Sequence, residues 1–167
     1  MNYTDLTAYR KSNPFMDFCG IEAVRAEHDD CEVKMTITAT DKNTHGFVHG
    51  GLLFTLADCV AGLTARSDGR NYVTQSAHIN FIKNLTEGTI HAYGMTLSRG
   101  RTIVIIRVQI KSEDGRLLAD GTVDMFCVKI KFIAIFKNSA YQTGRFAICS
   151  LRMLLVYSAR FFGIAKV

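Results

Sequence analysis

Asp58 and the Gly50-Gly51 pair are the residues whose type and placement best suit chemistry. Asp58 is the single charged residue between Gly51 and Arg66, in a run otherwise made of leucine, alanine, valine, phenylalanine and small residues. Taking an unpaired carboxylate out of water costs several kcal/mol, or drives it to protonate, so an aspartate there has either a partner or a task. Gly50 and Gly51 stand where the run begins. The first N–H groups of a helix find no partner within it and carry the positive end of its dipole, and glycine lets a ligand approach them closely. Such a terminus holds an anion or polarises a carbonyl oxygen. Donors of this kind are worth on the order of 10²–10³ in rate where charge develops on that oxygen.

The element that must carry both features is a helix over residues 51–66. Its apolar side chains, Leu52, Leu53, Phe54, Leu56, Val60 and Leu63 among them, spread over all sides rather than along one stripe, and a helix apolar all round belongs in an interior. At about 1.5 Å per residue it spans roughly 25 Å, short of the roughly 30 Å and about 20 apolar residues of a membrane span. Asp58 lies two turns in, roughly 10 Å from the glycine amides, whereas a general base must reach the reacting centre directly or through one water. One helix therefore cannot supply both halves of a site. Two copies packed antiparallel about a two-fold axis can, and the two-fold homodimer is the commonest oligomer.

The rest of the chain reads as sheet built to cover that helix. Asn13-Pro14 offers a cap and first-turn pair for a short helix through Phe18, ended by Gly20. Residues 21–27 and 31–39 read as an antiparallel pair about the turn at His28, Asp29 and Asp30, with Val33, Met35, Ile37 and Ala39 alternating against polar neighbours. After the helix, residues 72–83, 89–98, 102–112 and 117–130 alternate as strands. Short turns at Thr86-Glu87-Gly88, Arg99-Gly100 and Glu113-Asp114-Gly115 separate them, which predicts strands joined in succession into an antiparallel sheet.

Asn43, His49-Gly50-Gly51 and Leu56-Ala57-Asp58, spaced N-x5-H-G-G-x4-L-A-D, resemble the motif of the hotdog-fold acyl-CoA thioesterases of the PaaI type, named for phenylacetic acid degradation. The likeness in strand order extends over about residues 14–130. It implies an α+β hotdog fold, an antiparallel sheet wrapped around one long central helix, over residues 1–130. It also implies that Asp58 is the general base or nucleophile toward a thioester, and that the Gly50 N–H polarises the thioester carbonyl. Asn43 would help position the attacking water, His49 would shape the loop and support the carbonyl end, and Gly51 would complete the substrate lip. Ser76 resembles the position where related enzymes carry a hydroxyl near the catalytic carboxylate. The paired helices of the family draw the aspartate from the opposite subunit, so the resemblance implies a homodimer as the minimal unit and a homotetramer as the expected assembly.

Other residue types that can do chemistry are less well placed. His45 and His49 lie on a loop broken by Gly46 rather than on one helix face with further ligands, so no metal is expected. Cys59 beside Asp58 diverges from it by about 100° around a helix and reads as a packed thiol. Arg99 and Arg101 stand at a turn where they could meet coenzyme A phosphates, although exposed basic residues at turns usually have no such role. The five cysteines form no CxxC pair, which favours free thiols in a reducing, cytoplasmic setting.

The net charge of +5 is not spread over the chain. Residues 131–167 carry Lys131, Lys137, Arg145, Arg152, Arg160 and Lys166 and no acid, a charge of +6 that leaves residues 1–130 at −1; no nucleic-acid partner is expected. That tail departs from the resemblance. Its arginine spacing suits an amphipathic segment on a membrane surface or a binding partner, but the expectation is a non-native extension. The expected function is hydrolysis of an acyl-CoA thioester, with an aryl-acetyl or hydroxyphenylacetyl group, to free acid and coenzyme A. No cofactor is needed beyond the coenzyme A of the substrate. The alternatives are a non-catalytic acyl-CoA sensor and a hotdog enoyl-CoA hydratase or dehydratase.

Overall fold

The computed structural model describes residues 5–128. The chain divides between Lys129 and Ile130, the described residues lie in the first unit, and the tail expected over 131–167 lies outside them. The elements in order are α1 (Leu6–Lys11), α2 (Pro14–Phe18), β1 (Glu22–Glu27), β2 (Asp30–Thr36), α3 (Gly50–Ala65), β3 (Asn71–Phe81), β4 (Thr89–Arg99), β5 (Ile103–Ser112) and β6 (Leu117–Val128). The strands form one six-stranded antiparallel sheet in the order β1-β2-β4-β5-β6-β3, and α3 packs against it. Among the described residues, no helix is long and apolar enough to cross a membrane.

Ten of the sixteen residues of α3 are buried, all but Leu53 in its second half from Leu56 on. Their partners are the inward side chains of the strands, such as Val33, Ile90, Ile106, Ile110 and Val123, and each fully buried aliphatic side chain contributes about 1.5–3 kcal/mol. Gly94 sets how close the helix lies. A Cβ there would collide with Thr64 Oγ1 and stand 3.2 Å from the Val60 carbonyl oxygen. The first half of α3 is barer, for Gly51 and Phe54 are exposed and Asp58 is only half-buried.

The end of α3 is fastened by Arg99. Its guanidinium donates to Asp29 Oδ1 at 2.6 Å, to Asp68 Oδ2 at 2.5 Å, and to the last helical carbonyls, those of Ala65 at 3.0 Å and Thr64 at 3.2 Å. A cation at the negative end of the helix dipole thus ties the helix to the β1–β2 turn, where Asp29 adopts a left-handed φ of 66°. Burial alone would raise the Asp68 carboxyl, but hydrogen bonds from the Arg70 amide, Tyr72 hydroxyl and Arg70 side chain, with the Arg99 charge, bring it down to about 2.

Two expectations about the strands are corrected. The segment expected to continue as strand to residue 39 leaves the ladder after Thr36, because the Thr38 amide and hydroxyl both donate to Asp41 Oδ2 at 2.7 Å and turn the chain into a short 3-10 segment. The turn at Thr86-Glu87-Gly88 does not join neighbouring strands. β3 pairs with β6 at the far edge of the sheet, whereas β4 lies between β2 and β5. The connection between them crosses past the loop that precedes α3, where Leu85 O accepts from Val48 N–H and Asn84 Nδ2 donates to Val48 O.

Candidate active site

The loop that delivers the chain to α3 is built around Asn43. Its Oδ1 accepts from the amides of His45 at 2.9 Å and Phe47 at 3.2 Å, while its own N–H donates to Phe47 O at 2.7 Å. Gly46, at φ 78°, makes this close reversal possible. The Asn43 side-chain carbonyl is therefore committed to the loop, and its side-chain amide N–H₂ is the end left for a ligand.

His49 caps α3. Its Nδ1 accepts from Gly51 N–H at 2.9 Å, so the ring carries its donor on Nε2. The expectation for Gly51 is thereby corrected, since its amide is taken up within the chain. Gly50 N–H has no partner among the described residues, which makes it the outward-facing amide of the lip. A Cβ on Gly50 would meet only the Phe81 ring edge, at 3.9 Å, whereas one on Gly51 would press on His49 Nδ1 at 3.0 Å.

Asp58 faces a cavity of about 230 Å³ bounded by Tyr9, Phe15, Phe54, Arg66, Thr74 and Met125 among others. It is half-buried rather than fully enclosed, which corrects the expectation of a buried carboxylate. The hydroxyl that holds it is Thr74, whose Oγ1 donates to Asp58 Oδ1 at 2.6 Å, and Asp58 Oδ2 has no partner among the described residues. Ser76 is elsewhere; its Oγ donates to Asp124 Oδ2 at 2.7 Å. The ladder between β3 and β6 slips by one residue between Thr74 and Ser76, and this bulge puts the two hydroxyls on opposite faces of the strand.

Further residues settle into other roles. Burial pushes the Cys59 thiol up to about 12, with the Asp58 charge adding to it, so it is no thiolate nucleophile at neutral pH. Arg99 is spent on the end of α3 and is not available to a phosphate. The His91–Glu32 pair, at 2.8 Å, joins β4 to β2 and does not line the cavity. Among the described residues, no three histidine, cysteine or acidic side chains converge as metal ligands do.

Along β3, Thr74 stands beside Asp58 and Phe81 beside Gly50. The carboxylate and the open amide thus sit toward opposite ends of this strand, which occupies an edge of the sheet.

The matching family model is the thioesterase superfamily, over residues 45–119. A protein of Deinococcus radiodurans named "Putative esterase" is 30% identical over 115 residues, covering 68% of this chain and 78% of that one. The acyl-coenzyme A thioesterase PaaI of Escherichia coli is 28% identical over 101 residues, 60% of this chain and 72% of its own. Its solved structure superposes with a TM-score of 0.72 at 23% identity over 76% of this chain and 93% of that one, a likeness of fold. A hypothetical thioesterase protein of Streptococcus pneumoniae, solved with coenzyme A, matches at 29% identity and a TM-score of 0.62, covering 65% and 88% of the two chains. Two further structures of that protein carry an aspartate-to-alanine and a threonine-to-alanine replacement, at positions sixteen residues apart. The chain belongs to the thioesterase superfamily, as a thioester hydrolase of the PaaI-type hotdog group.

Proposed function

We propose that this enzyme hydrolyses acyl-CoA thioesters, with Asp58 as the reacting carboxylate. The observation that carries the reading is the Thr74 hydroxyl fixed on Asp58 at the wall of a cavity. Two of the relatives are named or solved with the same chemistry, an acyl-coenzyme A thioesterase and a thioesterase holding coenzyme A. Asp58 and Thr74 are also sixteen residues apart, the spacing of the two replaced positions in the streptococcal protein. With Oδ1 held by Thr74, Oδ2 either takes a proton from the water that attacks the thioester carbon, or attacks that carbon itself to form a mixed anhydride that water then opens. On either route the C–S bond breaks and coenzyme A leaves as a thiolate that takes up the proton. The developing oxyanion then needs an amide donor.

That donor is the partner's Gly50. Edge strands are templates for pairing, and antiparallel pairing of β3 with its own copy about a two-fold axis near Ala77 and His78 sets the Thr74 end of one strand against the Phe81 end of the other. The Asp58 of one copy then approaches the lip of its partner. Asn43, through its side-chain amide, and His49, through Nε2–H, serve the carbonyl end of the substrate. Ser76 has no part in this site, and Gly51 acts through His49.

The acyl group proposed is aryl-acetyl. A cavity of about 150 Å³ suffices for benzene, so about 230 Å³ takes one ring with a short linker, and Phe15, Phe54 and Tyr9 offer it aromatic walls. The reading is tested by release of free thiol from a panel of aromatic and aliphatic acyl-CoAs, compared with Asp58→Ala and Asp58→Asn. Binding of acyl-CoA without thiol release would instead favour a sensor, and hydration of an enoyl-CoA a hydratase.

A further inference from the structure

One charged group in the cavity is left unused by this chemistry. Arg66, the half-buried C-cap of α3, donates from Nη1 to Gly62 O at 2.8 Å and from Nη2 to Tyr72 O at 2.6 Å. A guanidinium has five N–H donors, so three remain, and no carboxylate pairs with it among the described residues. Asn13, which lines the same cavity, spends Oδ1 on the Met16 amide, capping α2, which leaves its side-chain N–H₂ as a further donor there.

The helix makes room for this cation. Gly62 lies in the interior of α3, where glycine costs about 1 kcal/mol relative to alanine, and a Cβ there would stand 2.7 Å from Arg66 Nη1. The guanidinium lies in the space the missing side chain leaves. Because it reaches back to the Gly62 carbonyl, one turn beyond Asp58, it sits roughly 6–9 Å farther along the helix axis than that carboxylate. The cavity therefore has an acceptor, Asp58, and farther along α3 a donor, Arg66, with Tyr9, Phe15 and Phe54 among its other walls.

We propose that Arg66 is a specificity-determining residue that selects acyl groups ending in an oxygen acceptor at the end remote from the thioester. This rests on the hydrolase reading above. With the thioester carbon at Asp58, an acyl group the length of one ring and its linker brings its far oxygen, a hydroxyl or a carboxylate, to the free guanidinium donors. An acyl group without that oxygen leaves a partly buried cation stripped of water and unpaired, which costs binding.

The test measures kcat/KM of the full chain on two matched pairs, 4-hydroxyphenylacetyl-CoA against phenylacetyl-CoA and glutaryl-CoA against pentanoyl-CoA. The wild-type enzyme prefers the oxygen-bearing member of at least one pair by about ten- to a hundredfold, the value of a hydrogen bond to a charged donor. Which pair shows it tells a neutral acceptor from an anionic one. Arg66→Met brings the preference toward unity. So does Gly62→Ala, which displaces the guanidinium while suiting a helix better than glycine. Equal rates within both pairs for the wild type, or a preference that survives both variants, overturns the assignment. Failure to hydrolyse any of the four overturns the hydrolase reading itself.

Discussion

Thr74 Oγ1 donates to Asp58 Oδ1 at 2.6 Å, joining the first half of β3 to the middle of α3. A hydrogen bond to a charged group is worth about 1.5–3 kcal/mol, and here it fixes which carboxylate oxygen faces the cavity. Thr74→Val is expected to lower kcat by about ten- to a hundredfold with little change in KM, and Thr74→Ser to restore most of it. Ser76→Ala, which removes a hydroxyl bonded to Asp124 instead, leaves kcat within about twofold, inside the range of ordinary surface changes. Steady-state rates of the three variants check this, and the reverse order would return the site to Ser76.

The two lip glycines separate in the same way. Gly50→Ala meets nothing nearer than the Phe81 ring edge, so the fold stands, but the added methyl occupies the approach to the open amide and kcat/KM falls. Gly51→Ala acts on folding, because its Cβ presses on the His49 ring that caps the helix. Loss of such a cap costs about 1 kcal/mol. Thermal melts beside activity measurements distinguish the two: Gly51→Ala lowers the Tm, and Gly50→Ala lowers activity at an unchanged Tm.

Acid should loosen the end of α3. Asp68 is held at about 2 in the folded chain, against about 3.9 for an unfolded aspartate. A depressed carboxyl contributes stability that is complete above the unfolded value and is lost as pH falls through the folded one. Asp29, likewise held low against the opposing effect of burial by hydrogen bonds from Thr96 and Arg99, adds in the same direction. The Tm of the wild type therefore falls between about pH 4 and pH 2, and Asp68→Asn, already less stable at pH 7, falls less over that window.

The central helix, its glycine entry and the alternating strands were legible because each is written locally, in an apolar run, a glycine pair and a period of two. The partner of β3 was not, because turn residues report that the chain reverses, not which strand it lies beside, and β6 is some forty residues on. Thr74 was missed for a related reason. With unbroken alternation Thr74 and Ser76 share a face, and only the bulge between them, which no residue type announces, turns one inward and the other outward. Asp58 was expected to be buried because the helix is apolar all round, yet its first half is left partly bare.

The composite site is tested most directly by hybrid dimers. Asp58→Ala and Gly50→Val subunits, each inactive alone, are co-expressed with different tags, and the doubly tagged species is assayed for thiol release from an aryl-acetyl-CoA. If each site takes Asp58 from one copy and Gly50 from the other, the hybrid holds one intact site and recovers about half of the wild-type rate. A hybrid as inactive as its parents would contradict the account, since both groups would then have to come from one chain.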